Sequence, residues 1–286
     1  MWTADKWKDY ELIDTTDGER LERWGKYVLR RPDPQVLWSG VGKSRLWDSA
    51  DAVYERRGGG GGWVKCDVPP SWNVSYGDMT FKIKPMGFKH TGLFPEQAAN
   101  WDWFSDLIKK SGRRVKVLNL FAYTGGASVA AAKAGAEVYH VDAAKNMVEH
   151  AKENAALSGA ADDIRFFVDD CTRFLNYAKK KGIKYDAIIM DPPSYGRGPS
   201  GEVWKLEECV GDFISLAASV LSDKPLFFLV NSYTTGISPS SMAYMLELYL
   251  KKKYGGCVAA DETGLPVTAS GAVLPCGGSA RWTAGK

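Results

Sequence analysis

Four acids and a pair of glycines are the residues whose types and spacing suit ligand chemistry: Asp142, Asp169, Asp170 and Asp191, preceded by Gly125 and Gly126. Each acid closes a short apolar run, at residues 137–142, 164–168 and 187–190, and the glycines follow a run at 115–121. Apolar strands alternating with helical stretches make βαβ units, which bind ligands at the carboxyl ends of their strands. Gly125 and Gly126 let the backbone approach a ligand where a Cβ would collide. The alanines that follow, with Ser128, keep the next helix close to the sheet. Asp142, about 17 residues past the first glycine, stands where an acid accepts ribose hydroxyls in such folds.

The turn decides which nucleotide. A dinucleotide needs G-x-G-x-x-G after the first strand, to seat a pyrophosphate on the helix N-terminus. The turn here is Phe121-Ala122-Tyr123-Thr124-Gly125-Gly126, with Tyr123 and Thr124 where that pattern wants glycine. A nucleoside that carries an amino acid in place of phosphates needs only a tight turn near its carboxylate and an acid for its ribose. Asp169-Asp170 is placed to accept from an adenine amine, and Asp191-Pro192-Pro193-Ser194 lies at the same sheet edge. Acids at the ends of three strands converge on one crevice.

The elements that must position them read as a regular alternation. Strands are expected at 115–121, 137–142, 164–168, 187–190 and 226–230, and helices at 101–110, 143–157, 171–181, 211–221 and 241–253. Segments 257–260 and 272–275 have no helix between them and read as an antiparallel hairpin. The fold class is α/β: a doubly wound, Rossmann-like, mostly parallel sheet with an antiparallel C-terminal hairpin and a small β-rich N-terminal region. Residues 1–85 are expected to form that β-rich appendage, available for substrate binding, and 86–286 the catalytic domain. The appendage carries seven tryptophans, read first as core and second as an RNA platform with Arg30, Arg31, Arg45, Arg56 and Arg57 on phosphates. Its glycine run at 58–62 reads as a flexible loop tip between strands. Gly40-Val-Gly-Lys-Ser44 resembles the end of a P-loop, but Leu37 occupies the position of the required first glycine. Lys179–181 and Lys251–253 sit at expected helix C-termini, where cations oppose the negative end of the dipole.

Composition narrows the class. The chain has 286 residues, 45% hydrophobic and 25% charged, with a net charge of +3, so nucleic-acid binding rests on local features. Five scattered cysteines and three histidines argue against a metal site and for a reducing compartment. No signal peptide and no apolar run of about 18 residues is visible, which predicts a cytoplasmic protein without a membrane span.

These residues resemble the class I S-adenosylmethionine-dependent methyltransferases, in the branch of large-subunit (23S) ribosomal RNA cytosine-C5 and guanine-N7 methyltransferases. The resemblance rests on Thr91-Gly92 through Glu96-Gln97, Leu118-Asn-Leu-Phe-Ala-Tyr-Thr-Gly-Gly126, Val141-Asp142, Asp169-Asp170 and Met190-Asp-Pro-Pro-Ser194. It implies S-adenosylmethionine as cofactor and RNA as substrate partner. It also implies that Asn119, Phe121, Ala122, Tyr123, Thr124, Gly125 and Gly126 hold the methionine part, Asp142 with Ala143 the ribose, and Asp170 or Asp169, with Cys171, the adenine. Asp191 borders the cofactor and, with Pro192, Pro193, Ser194 and Tyr195, forms the catalytic loop: Asp191 accepts an N–H of the acceptor base and Tyr195 stacks on it.

Two departures refine the reaction. Cytosine-C5 members use a cysteine after strand five, whereas this chain has Val230-Asn-Ser-Tyr-Thr234, and Ser232 is a poor substitute for a thiolate. The branch's Asp-Gln-Arg is Glu96-Gln97-Ala98 here. Transfer to a base nitrogen is therefore the expected reaction, with ribosomal RNA the expected substrate. The alternatives are an NAD(P)-dependent oxidoreductase on a similar sheet and a non-catalytic RNA-binding protein of the same fold.

Overall fold

The pair Asp17-Gly18, at φ 54° and 75°, supplies the two left-handed residues that a tight hairpin needs. Around it the N-terminal strands form in order: β1 (Trp2–Thr3), β2 (Tyr10–Thr16), β3 (Glu19–Trp24), β4 (Tyr27–Pro32), β5 (Ala52–Arg57) and β6 (Gly60–Cys66). The last five make one sheet in sequence order, and β7 (Trp72–Tyr76) pairs with β8 (Met79–Ile83) as a separate hairpin. The computed structural model describes residues 1–40, 45–58, 60–197 and 203–285. It divides into two compact units, Met1–Ala99 with Gly264–Cys276 and Asn100–Thr263 with Gly277–Lys286.

In the first unit Trp24 and Trp47 are buried. The indole N–H groups of Trp7, Trp38, Trp47, Trp63 and Trp72 all donate to oxygens within the unit. These rings are structural. Arg31, 2% exposed, is paired with Glu22, and Arg30 with Glu19, so neither is presented as a free phosphate contact. The glycine run is only in part a loop tip. Gly60–Gly62 belong to β6, and a Cβ at Gly61 would lie 2.6 Å from the Glu55 carbonyl oxygen and from the Tyr54 ring. Val41–Ser44, which hold most of the discarded P-loop likeness, lie outside the described residues.

In the second unit, short and mainly apolar runs become strands, buried along their whole length only at the centre of the sheet. After helix α1 (Ala98–Lys110), they are β9 (Lys116–Leu120), β10 (Glu137–Asp142), β11 (Ile164–Val168) and β12 (Ala187–Met190). A short hairpin, β13 (Tyr195–Arg197) with β14 (Val203–Lys205), precedes β15 (Phe227–Ser232), β16 (Cys257–Pro266) and β17 (Val273–Thr283). The strand order is β16-β17-β15-β12-β9-β10-β11. Strands β15, β12, β9, β10 and β11 are mutually parallel, and β17 runs antiparallel to β15. The helices between them are α2 (Gly126–Lys133), α3 (Lys145–Leu157), α4 (Cys171–Lys181), α5 (Leu206–Ala218) and α6 (Pro239–Leu246), the last continuing through a π turn, Glu247–Lys251. The expected mostly parallel α/β sheet with antiparallel C-terminal strands is the observed fold.

Among the boundaries that differ from expectation, three have a local reason. Helix α5 begins at Leu206 rather than 211, with Glu207 and Glu208 at the positive end of its dipole. Gly211, taken as its start, is interior, and a Cβ there would lie in ordinary contact with the Tyr249 hydroxyl, at 3.6 Å. Helix α6 begins at Pro239 rather than 241. Ser238 caps α6 by accepting from the Ser241 N–H, and Pro239 fills the first turn. The C-terminal strands run longer than 257–260 and 272–275. Gly277 and Gly278 lie within β17, because a Cβ at Gly277 would stand 2.7 Å from the Tyr233 ring and one at Gly278 3.0 Å from Met242.

Candidate active site

The turn after β9 is wound by alternating left-handed residues: Phe121 at φ 54°, Tyr123 at 51° and Gly125 at 84°. Two non-glycine residues in that region cost energy, so something must hold them. The Phe121 N–H donates to the Cys171 sulfur (3.3 Å) and the Tyr123 N–H to Asp142 Oδ2 (2.8 Å). The Thr124 carbonyl accepts from the Asn154 side chain of α3 (2.8 Å). Beneath the turn, buried Asn119 donates to Ser128 Oγ (2.9 Å), which meets His140 Nδ1 at 3.0 Å. Burial pushes the His140 pKa down to about 3, so the ring is neutral near pH 7. Burial pushes the Cys171 thiol up, and the nearby acids add to that, while the Phe121 N–H opposes it. Cys171 is therefore a thiol that supports the turn.

The strand order places the acids in a row. Asp142 ends β10 opposite Val168 of β11, and the Asp169 N–H donates to the Asp142 carbonyl (3.1 Å). Asp142 is half-buried; each carboxylate oxygen accepts one backbone N–H, from Tyr123 and from Ala144, both at 2.8 Å. Each oxygen keeps a lone pair for a further donor. Burial raises its pKa above 3.8, against those two N–H bonds. Asp170 is exposed and caps α4 through Oδ1, leaving Oδ2 outside that bond, while Asp169 pairs with Arg173. Ala143 lies between Asp142 and the start of α3. On the other side of β9, Asp191 follows β12 and its N–H reaches the Leu120 carbonyl (3.4 Å). Neighbouring strands lie ~4.8 Å apart, so β11, β10, β9 and β12 span about 14 Å of sheet edge.

Beyond Asp191 the chain is fastened at successive points. The Trp204 indole N–H donates to the Pro193 carbonyl (2.7 Å), the Leu206 N–H to the Ser194 carbonyl (3.0 Å), and Thr234 Oγ1 to Ser194 Oγ (2.6 Å). Pro192 is buried, Pro193 and Ser194 are exposed, and Tyr195 is 52% exposed. Ser232 is buried and its Oγ accepts from the Thr234 N–H (3.1 Å).

Residues 52–203, just over half of the chain, match the S-adenosylmethionine-dependent methyltransferase family. The chain belongs to that family. The SAM-dependent methyltransferase from Agrobacterium tumefaciens has a crystal structure similar to it, with a TM-score of 0.92 at 35% identity, over 98% of this chain and 92% of that one. A candidate SAM-dependent methyltransferase from Streptococcus mutans shares the fold, with a TM-score of 0.72 at 19% identity, over 98% and 76% of the two chains. Ribosomal RNA large subunit methyltransferase I of Aeromonas hydrophila is 42% identical over 107 residues, which are 37% of this chain and 26% of that protein. Ribosomal RNA large subunit methyltransferase K/L of Shewanella sp. (strain ANA-3) is 40% identical over 118 residues, 40% and 16% of the two. The matched segments span between 16% and 38% of the length of such relatives.

S-adenosylmethionine is thus the cofactor of this methyltransferase, and the oxidoreductase reading falls away. His140, Asn154, Trp204 and Thr234 were not singled out in the sequence; each acts through a partner 11 to 40 residues away, a spacing that no motif marks. The turn itself yields a test. An alanine at Gly125 would combine a left-handed backbone with a Cβ 2.9 Å from that of Ala151. Gly125→Ala is expected to cost about 2–4 kcal/mol of stability by urea denaturation. Gly182→Ala, left-handed but with nothing within 4 Å of its Cβ, is expected to cost about half as much. Equal costs would remove the packing argument.

Proposed function

We propose that this methyltransferase transfers a methyl group to a nitrogen of an RNA base, in ribosomal RNA and in the cytoplasm. One observation carries the reading: the left-handed turn stands between Asp142 and Asp169–Asp170 on one side and Asp191 on the other, along a single sheet edge. The likeness to large-subunit ribosomal RNA methyltransferases supports RNA as the substrate. Buried Ser232, where cytosine-C5 members of the resembled branch carry cysteine, supports nitrogen over carbon.

The fit to S-adenosylmethionine rests on the donor set. The tight 121–126 turn, wound left-handed at three positions, brings its backbone close to where the cofactor's amino acid would lie, and the uncommitted lone pairs of Asp142 suit a vicinal diol. Asp170, or Asp169 beside it, would accept from the adenine amine. The cofactor supplies an electrophilic methyl on a sulfonium. Asp191 would accept an N–H of the acceptor base and so orient its nitrogen lone pair for transfer. Pro192 and Pro193 keep the loop rigid and free of competing N–H donors. Tyr195, exposed beside it, offers a ring for a base turned out of its helix.

Asp142→Ala is expected to weaken S-adenosylhomocysteine binding at least about tenfold by calorimetry, as the loss of a charged acceptor predicts. Ribose recognition needs the carboxylate. Wild-type affinity is therefore expected to fall as pH drops toward the raised pKa of Asp142, starting above pH 3.8, and the alanine variant to lose that dependence. The substrate is tested by mass spectrometry of ribosomal RNA from cells lacking the gene. One lost methyl on a base nitrogen supports the proposal; a lost C5 methyl overturns the nitrogen assignment, and an unchanged spectrum overturns ribosomal RNA.

A further inference from the structure

Trp204 touches both halves of the site, and the two contacts use different parts of its ring system. Its N–H holds the Pro193 carbonyl inside the Asp191–Tyr195 loop at 2.7 Å. Its rings pack in a triangle: 5.5 Å from Phe121 at 48°, and 5.4 Å edge-on to Phe213, which is itself 5.2 Å from Phe121. Phe121 is the first left-handed residue of the glycine turn, and Phe213 is a buried residue of α5. The strand that carries Trp204 pairs it with Gly196, where a Cβ would stand 3.6 Å from that of Trp204. Immediately after it, α5 begins at Leu206, whose N–H is bonded to the Ser194 carbonyl. Two prolines give this loop no N–H of their own between Asp191 and Ser194, so its height above the sheet depends on donors from outside. Trp204 is one such donor, and its ring rests on the cofactor turn.

We propose that Trp204 is a positioning residue that sets the Asp191–Tyr195 loop relative to the cofactor turn, its N–H acting on the loop and its ring face acting on Phe121. The proposal rests on reading Asp191–Tyr195 as the acceptor loop, but its contacts can be tested without any acceptor.

The two contacts separate by substitution. Trp204→Phe keeps an aromatic face and removes the donor; Trp204→Ala removes both. A neutral hydrogen bond of ordinary strength corresponds to a 2- to 12-fold change, as does an aromatic pair beyond its buried area. Amide hydrogen exchange and S-adenosylhomocysteine calorimetry are measured on wild type and both variants. In Trp204→Phe, exchange at Ser194 to Gly196 is expected to quicken about 2- to 12-fold, with cofactor-product affinity within about twofold of wild type. Trp204→Ala is expected to show the same quickening and, in addition, affinity weakened about 2- to 12-fold. Unchanged exchange in Trp204→Phe overturns the proposal, and so does an equal affinity loss in both variants, which marks a merely structural residue. Thr234→Val, which removes a different fastening of Ser194 and leaves Phe121 untouched, separates loop release from general unfolding: quickened exchange with unchanged affinity is the expected result, and a loss of affinity overturns the assignment of that effect to the ring. Should ribosomal RNA prove not to be the substrate, these readouts stand unaffected.

Discussion

Asp191→Ala is expected to lower methyl transfer to ribosomal RNA by about 10²-fold or more, with a much smaller loss of S-adenosylhomocysteine affinity. Two contributions set the size. Removing a charged acceptor from a hydrogen bond costs about 1.5–3 kcal/mol, or roughly 10- to 150-fold. Losing the direction of the acceptor's lone pair costs a comparable factor, because displacement at a methyl carbon tolerates little misplacement. Asp191 is well suited to that task. Its strand, β12, is fully buried between β9 and β15, so the carboxylate leaves a rigid base. Asp191→Asn separates two roles. An amide oxygen can still accept an N–H, so a positioning acceptor predicts a milder loss, about tenfold. A proton acceptor predicts a loss as deep as alanine's, since an amide does not take up the proton. The measurement is single-turnover transfer of labelled methyl to ribosomal RNA from cells lacking the gene. If Asp191→Ala transfers at the wild-type rate, the loop is a structural turn and the chemistry lies elsewhere.

The crevice was largely legible because its parts are local. Strands β10, β11 and β12 and helix α4 fall where the apolar runs and caps place them: Asp170 caps the start of α4, and left-handed Gly182 ends it. The turn could be separated from a dinucleotide site on spacing alone, since it depends on six consecutive residues. What escaped notice depends on residues far apart in sequence. A tryptophan such as Trp204, in a three-residue strand flanked by polar sequence, shows no periodicity, and its partners Pro193, Phe121 and Phe213 share no register with it. His140 sits in strand β10 and finds Ser128 only because α2 packs on that strand, beside Asn119 of β9. Gly211 misled for a related reason: it was read as the start of a helix but lies inside α5, beside Tyr249 of a later element. Gly277 and Gly278, which went unread, stand where Tyr233 and Met242 pack against the strand. The same holds in the first unit, where Arg31 looked like a phosphate contact until its partner, nine residues earlier in the chain, was visible.

That partner, Glu22, carries the largest stability effect expected in the molecule. Glu22 is fully buried and accepts from the Tyr10 hydroxyl (2.8 Å) and Arg31 Nε (2.7 Å), with Arg20 Nε at 3.3 Å. Burial pushes its carboxyl up, but Arg20, Arg31 and the Tyr10 hydroxyl more than reverse this, leaving the pKa below 4.5. Glu22→Gln keeps the volume and removes the charge, which leaves Arg31 buried without its counter-ion. Breaking a buried pair in this way costs about 3–5 kcal/mol, and the urea midpoint followed by tryptophan fluorescence should fall accordingly. A change below about 1 kcal/mol would place the pair among those that contribute little. The pH dependence has a definite sign. A depressed carboxyl contributes stability above its unfolded pKa, about 4.5, and loses it as pH falls through the lower folded value. Wild type is therefore expected to lose its advantage over Glu22→Gln in acid. The pair also holds the segment leading to Thr91: Arg31 Nη1 donates to the Lys89 carbonyl (2.7 Å), while the backbone N–H groups of Lys84 and Met86 reach the carbonyls of Thr91 and His90. Apolar replacement of both partners, Glu22→Leu with Arg31→Met, should recover part of the loss suffered by Glu22→Leu, because the unpaired charge is then gone. The Lys89 carbonyl stays without its donor in that double variant, so amide exchange at residues 84–91 should remain fast even where global stability returns.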